Sequence, residues 1–116
     1  MYNYIQLEPA ELEYVLIADV KDLPPGERLF VAIDEAQIII FNLAGVLYAI
    51  GNVCSHDGNV LDDAPVEDLE VVCPRHGARF DVQNGKAVAL PAVVDIPAYP
   101  VRIHEGQIEV GVPKKI

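Results

Sequence analysis

The sequence of 116 residues predicts an all-β domain, a small antiparallel β-sandwich or barrel with a subdomain inserted into it. Short segments of alternating apolar and polar residues recur along the chain, separated by turn-forming pairs such as Asn84-Gly85 and Glu105-Gly106. The length suits one domain, and no internal repeat is present. The stretch 52–79 interrupts the strand pattern, which resumes after it. These observations favour one β domain with a single insertion.

The predicted strands share an apolar alternation that ends at turn-forming residues, and they lie at 14–18, 29–33, 38–43, 46–50, 80–82, 87–90, 101–103 and 107–110. One helical turn is expected at 19–23, because Pro24 and Pro25 cannot continue a helix. Asn84-Gly85 predicts a two-residue hairpin turn, since both residues tolerate positive φ. Glu105-Gly106 predicts a second hairpin in the same manner.

The chain is predicted to consist of a short N-terminal extension and one domain. Residues 1–13 fit no strand pattern and are expected to form a loosely held extension. The domain covers 14–116, in which 14–51 and 80–116 build a basal β scaffold. Because strand patterns resume on both sides of 52–79, this stretch is interpreted as the inserted subdomain.

The charge balance excludes several classes of partner. Lys and Arg number 8 against 18 Asp and Glu, so the formal net charge is −10. Nucleic acids and anionic membranes bind clustered positive charge, so neither is an expected partner.

No apolar stretch has the length of a membrane helix, and the N-terminus lacks the pattern of a secretory signal. A cytoplasmic location is therefore expected.

Both cysteines lie in the insert, and each has a histidine close by. The first motif is Cys54-Ser55-His56 and the second is Cys73-Pro74-Arg75-His76, with sixteen residues between them. Each motif supplies a thiolate and an imidazole, which are good ligands for iron and zinc. Pro74 favours a loop, and the glycines after the histidines, Gly58 and Gly77, let backbone N–H groups approach metal-bound sulfur. This pattern predicts a metal centre in the insert.

The two motifs have three other interpretations: isolated buried cysteines, a disulfide and a structural zinc site. Isolated cysteines are most often small buried side chains, but that role leaves both nearby histidines unexplained. A disulfide would leave the histidines unexplained as well. Structural zinc stays open, although zinc fingers usually group two cysteines in one motif and two histidines in the other.

Cys-x-His followed by Cys-x-x-His resembles the signature of Rieske [2Fe–2S] domains. The resemblance implies one [2Fe–2S] cluster per chain, with Cys54 and Cys73 on one iron and His56 and His76 on the other. It also implies the Rieske iron–sulfur fold, in which the insert is the cluster-binding subdomain.

The resemblance extends beyond the four ligands and covers residues 14–112. Residues 73–81 are similar to the second cluster loop of Rieske ferredoxins. Leu90-Pro91-Ala92 lies where that family has a proline-containing loop that shields the cluster. The strands on both sides of the insert resemble the family's basal domain.

The resemblance implies a redox centre of low potential. Neutral imidazoles in place of two thiolates make the cluster easier to reduce, which places Rieske centres at roughly −150 to +300 mV. High-potential members of the family have a disulfide between the cluster loops, a serine and a tyrosine near the second histidine. Here the extra cysteines are absent, and Ala78 and Phe80 stand at the serine and tyrosine positions. Since neither can donate a hydroxyl hydrogen bond to sulfur, a potential near the bottom of the range is expected.

The chain resembles the ferredoxin component of a multicomponent oxygenase. In that family the ferredoxin takes electrons from a flavin-dependent ferredoxin reductase and delivers them to a terminal non-haem iron oxygenase. This implies a soluble one-electron carrier and no enzyme activity of its own. An oxygenase would need a further mononuclear iron, and only His104 remains after the cluster takes two histidines. A small subunit or accessory module of a nitrite reductase-type complex is the alternative, and a zinc-stabilised structural domain is a third.

Charged residues near the motifs leave two interpretations open. Six acids lie between the motifs with no basic residue among them: Asp57, Asp62, Asp63, Glu67, Asp68 and Glu70. They form either a solvated loop or a surface that steers basic partners. Arg75 and Arg79 either contact a partner or pair with these acids. His56 and His76 are expected at an exposed tip, as in the family, and His104 is expected to be an ordinary surface histidine.

Overall fold

The computed structural model describes residues 3–90 and 94–114, and over these ranges the chain is almost entirely β. The strands are β1 Leu12–Asp19, β2 Arg28–Ile33, β3 Ala36–Leu43, β4 Val46–Gly51, β5 Val66–Glu67, β6 Glu70–Val72, β7 Arg79–Asp81, β8 Ala87–Ala89, β9 Ala98–Tyr99, β10 Val101–His104 and β11 Gln107–Pro113. Short 3₁₀ turns span Tyr4–Gln6, Pro9–Glu11 and Val20–Asp22. The predicted all-β fold class is confirmed. No helix in the described ranges has the length and apolar character to cross a membrane.

The strands form three antiparallel sheets, with the orders β1-β11-β10, β2-β3-β4-β9 and β5-β6-β7-β8. The first two sheets share one core, in which Ile38 and Ala49 of the second sheet lie with Ile108 and Val110 of the first. All four side chains are at most 1% exposed. Burial of such side chains, worth about 1.5–3 kcal/mol for each large one, holds the two sheets together as the basal scaffold.

Strand β3 joins this scaffold to the third sheet, because both of its faces are buried. Ile38 and Ile40 point into the core between the first two sheets. Ile39 and Phe41 point the other way, into a second core that also contains both cysteines. The alternation of side chains along a strand produces this division. The continuous apolar run in β3 therefore contributes side chains to both cores, one from each face of the strand.

The third sheet extends further along the chain than the insert predicted from the sequence. The sequence placed the insert at 52–79 and assigned 80–116 to the scaffold. In the structure β7 pairs with β6 and β8 pairs with β7, so the sheet that carries the second motif continues to Ala89. The short strands β5 and β6 lie inside the stretch that showed no strand pattern. Strands of two or three residues are too short to show a period of two.

Two further details differ from the sequence-based expectations. Residues 3–11 contact the scaffold where a loosely held extension was expected: the rings of Tyr4 and Tyr99 lie 5.1 Å apart. The hairpin between β7 and β8 has a longer loop than two residues, because Asp81 N–H donates to the Lys86 carbonyl at 2.9 Å. Glu105-Gly106 forms the expected two-residue turn, with both residues at positive φ and the flanking residues of β10 and β11 paired.

Candidate metal centre

Two six-residue loops that begin at Cys54 and Cys73 carry the two motifs, and they have the same hydrogen bonds. In each loop the cysteine N–H donates to the carbonyl five residues later, at 2.8 Å from Cys54 and 2.7 Å from Cys73. The glycine four residues later donates back to the cysteine carbonyl, at 2.7 Å for Gly58 and 2.8 Å for Gly77. Both glycines have a φ of 75°, a region in which other residues are strained. The two motifs are therefore two copies of one loop conformation.

The two cysteines lie at the buried end of the site. Both are free thiols with no exposed surface, and they pack in the core with Phe80 and Ile39. Their Sγ atoms and a carboxylate oxygen of Asp57 all lie within 4.8 Å of one another. Burial raises the pKa of the Cys54 thiol, because a thiolate is poorly solvated there. Two buried thiols this close together suit a bound cation that would favour their deprotonation.

The histidines of the two loops lie at the exposed end of the site. The imidazole rings of His56 and His76 have centroids 4.7 Å apart and planes at 77° to each other. Both residues are exposed, as the sequence led us to expect, and the His76 side chain is 45% exposed. The site therefore has a buried sulfur side and a solvent-facing nitrogen side.

An ion pair connects the two loops beside the histidines. Arg75 binds the Asp57 carboxylate through two hydrogen bonds, Nε to Oδ2 at 2.6 Å and Nη2 to Oδ1 at 3.2 Å. This contact lowers the pKa of Asp57 and raises the pKa of Arg75. His76 Nε2 lies 3.5 Å from the same Asp57 oxygen. Pairing with an acid was one of the two roles expected for Arg75, and the structure shows that acid to be Asp57.

The second arginine also pairs with acids, which is one of the two roles expected for it. Arg79 Nε binds Glu70 at 2.8 Å and its Nη2 binds Glu67 at 3.2 Å. These contacts raise the pKa of Arg79. The acidic stretch between the motifs is thus partly neutralised by arginines that the fold brings to it. Within the described residues, no ion pair joins Asp62, Asp63 or Asp68 to a basic side chain.

The expected shielding loop and the third histidine lie away from the two motifs in the sequence. Leu90 is 78% exposed, whereas Pro91 and Ala92 of the expected shielding loop lie outside the described residues. The loop beginning at Cys54 contacts the chain just beyond this segment, since the Ser55 hydroxyl donates to the Val94 carbonyl. His104 lies at the end of β10 with its side chain 65% exposed, as expected for a surface histidine.

The donor set fits an iron–sulfur cluster. The two thiols lie together at the buried end and the two imidazoles lie together at the exposed end, and the backbone N–H groups of His56 and Asp57 partly offset the effect of burial on the pKa of the Cys54 thiol. Such N–H groups stabilise sulfur that carries negative charge. Ala78 and Phe80 are both fully buried in the core that contains the cysteines, and neither has a hydroxyl. The core around the sulfur atoms is therefore apolar, while the Asp57 carboxylate lies within 4.8 Å of them.

Known proteins show the same fold and related sequences. The sequence model of the family described as Rieske [2Fe-2S] domain matches residues 13–100. The 3-phenylpropionate/cinnamic acid dioxygenase ferredoxin subunit of Escherichia coli (strain K12) is 39% identical over 97 residues, 82% of this chain and 90% of that protein. The ferredoxin of carbazole 1,9a-dioxygenase from Nocardioides aromaticivorans IC177 superposes with a TM-score of 0.79 at 35% identity, covering 87% of this chain and 98% of that one. A putative NADH-dependent nitrite reductase small subunit from Mycobacterium tuberculosis superposes with a TM-score of 0.78 at 27% identity, covering 90% and 98%.

Proposed function

The chain belongs to the Rieske [2Fe-2S] domain family, and from this premise we propose that it carries one electron at a time from a flavin-dependent ferredoxin reductase to a terminal non-haem iron oxygenase. It has a Rieske-type [2Fe–2S] cluster. Like the dioxygenase ferredoxins it resembles, it is an electron-transfer component and not itself the catalytic enzyme. The cytoplasmic location expected from the sequence stays a prediction.

The observation that carries this proposal is that the two buried thiols lie together and the two exposed imidazoles lie together, on two loops of one conformation. We assign Cys54 and Cys73 to one iron and His56 and His76 to the other. Burial protects the sulfur side from water, and exposure brings the imidazole edges to the molecular surface. When bound, the cluster accepts and releases a single electron. The exposed histidine edges are therefore the part of the site that a docked partner would contact.

A carrier that serves two partners needs brief, weak docking, and the surface is suited to it. Small transient interfaces are typical of redox encounters. Two of the acids without an ion pair among the described residues, Asp62 and Asp63, follow the first loop along the chain and are exposed. Their charge would attract a basic partner and speed its encounter without a tight complex.

The second candidate is an accessory subunit of a nitrite reductase-type complex. The likeness to the Mycobacterium tuberculosis small subunit favours it, although the sequence identity is lower than to the dioxygenase ferredoxins. The presence of all four ligand residues favours electron transfer in either setting.

Stopped-flow absorbance with purified partners tests the proposal. The protein is first reduced by NADH and a flavin-dependent reductase of a dioxygenase system, then mixed with an oxidised Rieske terminal oxygenase. We expect rapid reduction, followed by reoxidation that matches the reduction of the oxygenase electron for electron. No reduction by any such reductase, together with tight binding to a nitrite reductase large subunit, would favour the second candidate. A colourless protein that contains zinc would exclude both.

A further inference from the structure

Because the two loops have the same conformation, each histidine has an equivalent position in the other loop. Aligned from the cysteines, the third position of the loops holds His56 in one and Arg75 in the other. The fourth position holds Asp57 in the first loop and His76 in the second. Each loop thus uses one of the two positions for its histidine and places a charged residue at the other.

The two charged residues at these remaining positions bind each other across the site. Arg75 and Asp57 make a bidentate pair at 2.6 and 3.2 Å, a geometry that fixes both planes as well as their separation. In the part of the chain that the structure describes, Arg75 and His76 of the second loop both contact the Asp57 carboxylate of the first, at 2.6 and 3.5 Å. The Asp57 side chain is only 14% exposed, which limits screening by solvent.

Asp57 is also held from within its own loop. Its Oδ1 accepts the backbone N–H of Asn59 at 3.0 Å, so both carboxylate oxygens are occupied. Although this carboxylate lies within 4.8 Å of both sulfur atoms, its oxygens are directed to Arg75 and Asn59, and these hydrogen bonds favour a connecting role over metal binding. The geometry thus separates Asp57 from the ligands and gives it a connecting role.

We propose that the Asp57–Arg75 ion pair is a clamp that positions the two loops, so that His56 and His76 face one cluster. This inference rests on the proposed function, because it takes the four cysteines and histidines as cluster ligands. The clamp does the work of a cross-link between the loops without a covalent bond. Being a pair of opposite charges, it adds no net charge beside the site.

The clamp has two consequences that can be measured separately. Loss of either partner frees one loop relative to the other, so the cluster should be lost faster in both single variants. The effects on the midpoint potential should have opposite signs. Without Arg75 an unpaired negative charge remains near the cluster and lowers the potential, and without Asp57 an unpaired positive charge raises it. A residue that only supported the fold would not produce this opposition.

The test compares Asp57→Asn, Arg75→Gln and the double variant with the unaltered protein, all loaded with cluster. Arg102→Gln is the matched control, because Arg102 makes a comparable ion pair with Glu109 at 2.6 Å within the basal scaffold. The rate of cluster loss in excess EDTA is followed by visible absorbance, and midpoint potentials are measured by protein-film voltammetry. Circular dichroism of each variant monitors the fold.

We expect each single variant to lose the cluster about three- to tenfold faster, and the double variant no faster than the faster single variant. The potentials of the single variants should shift in opposite directions, while the control changes neither quantity.

Single variants that retain the cluster as well as the control does would overturn the clamp. A double variant whose rate of cluster loss is increased by the product of the two single effects would overturn it as well. If a single variant does not fold, the charge-swapped Asp57→Arg/Arg75→Asp protein replaces it. Cluster loss as slow as in the unaltered protein supports the clamp, and faster loss refutes it. An unaltered protein that binds no iron would instead refute the proposed function.

Discussion

The imidazole rings of His56 and His76 meet edge to face, with their centroids 4.7 Å apart, although nineteen residues separate the two side chains in the sequence. They come from different loops that share one backbone conformation. Their cysteine neighbours lie beneath them in the core that β3 shares with the basal scaffold. The scaffold therefore fixes the sulfur side of the site, and the two loops present the nitrogen side to solvent.

The redox potential should respond to hydroxyl groups added near the buried cysteines. Ala78→Ser and Phe80→Tyr each place a donor in the apolar core around them, and a hydrogen bond to sulfur favours the reduced state. A bond worth about 1 kcal/mol corresponds to about 40 mV for one electron, so each variant should have a higher potential by that order. Phe30→Tyr, at an exposed position of β2, is the control and should show no shift.

Protein-film voltammetry provides the measurement for both variants and for the unaltered protein. The unaltered protein should lie near the bottom of the range of about −150 to +300 mV. A midpoint above about +100 mV on that scale would contradict the inference drawn from Ala78 and Phe80.

Reduction by the reductase should slow as salt is added, if the unpaired acids steer a basic partner. Asp63→Asn removes one such charge near the first loop and should lower the association rate at low ionic strength by a few-fold. Glu105→Gln removes a charge from the β10–β11 turn and serves as the matched control. Stopped-flow rates that are independent of salt, or equal in the two variants, would leave the acidic stretch as a solvated surface only.

Asn42 should contribute to the stability of the scaffold more than an exposed polar residue does. It is 6% exposed, donates from Nδ2 to the Leu23 carbonyl at 2.8 Å and accepts the Gly45 N–H at 2.8 Å. Asn42→Ala leaves these backbone groups unpaired and should lower the free energy of unfolding by about 1–3 kcal/mol. Urea denaturation measures this, with Gln37→Ala at an exposed position of β3 as the control. Equal losses in both variants would show that the Asn42 hydrogen bonds add nothing.

Alkaline pH should destabilise the fold through Tyr99. Burial, and secondarily its neighbour Tyr4, raises the pKa of Tyr99 from 10.0 to about 12. The folded state then holds the phenol proton more tightly than the unfolded chain, so its contribution is complete below pH 10.0 and is lost as the pH rises towards about 12. Unfolding free energies measured across this window should fall less steeply in Tyr99→Phe. Identical slopes in the two proteins would contradict the assignment.

The sequence predicted the parts of this molecule that depend on local pattern. The alternation in β2 to β4 and the turn at Glu105-Gly106 depend on neighbouring residues, and the structure has them where they were expected. In the third sheet, β7 and β8 lie where two strands were expected, whereas β5 and β6 could not be predicted, because strands of two or three residues have no measurable period. The pairing of Asp57 with Arg75 depends on two loops folding alike and meeting, which neither motif shows by itself.

Pulsed EPR of the dithionite-reduced protein shows whether the cluster is held by Cys54, Cys73, His56 and His76, the assignment on which the proposed function depends. We expect iron and acid-labile sulfide in equal amounts, and couplings from two histidine nitrogens that persist in His104→Asn. One of these couplings should disappear in any His76 variant that still holds a cluster. A reduced cluster with no nitrogen coupling, or one whose couplings depend on His104, would contradict it.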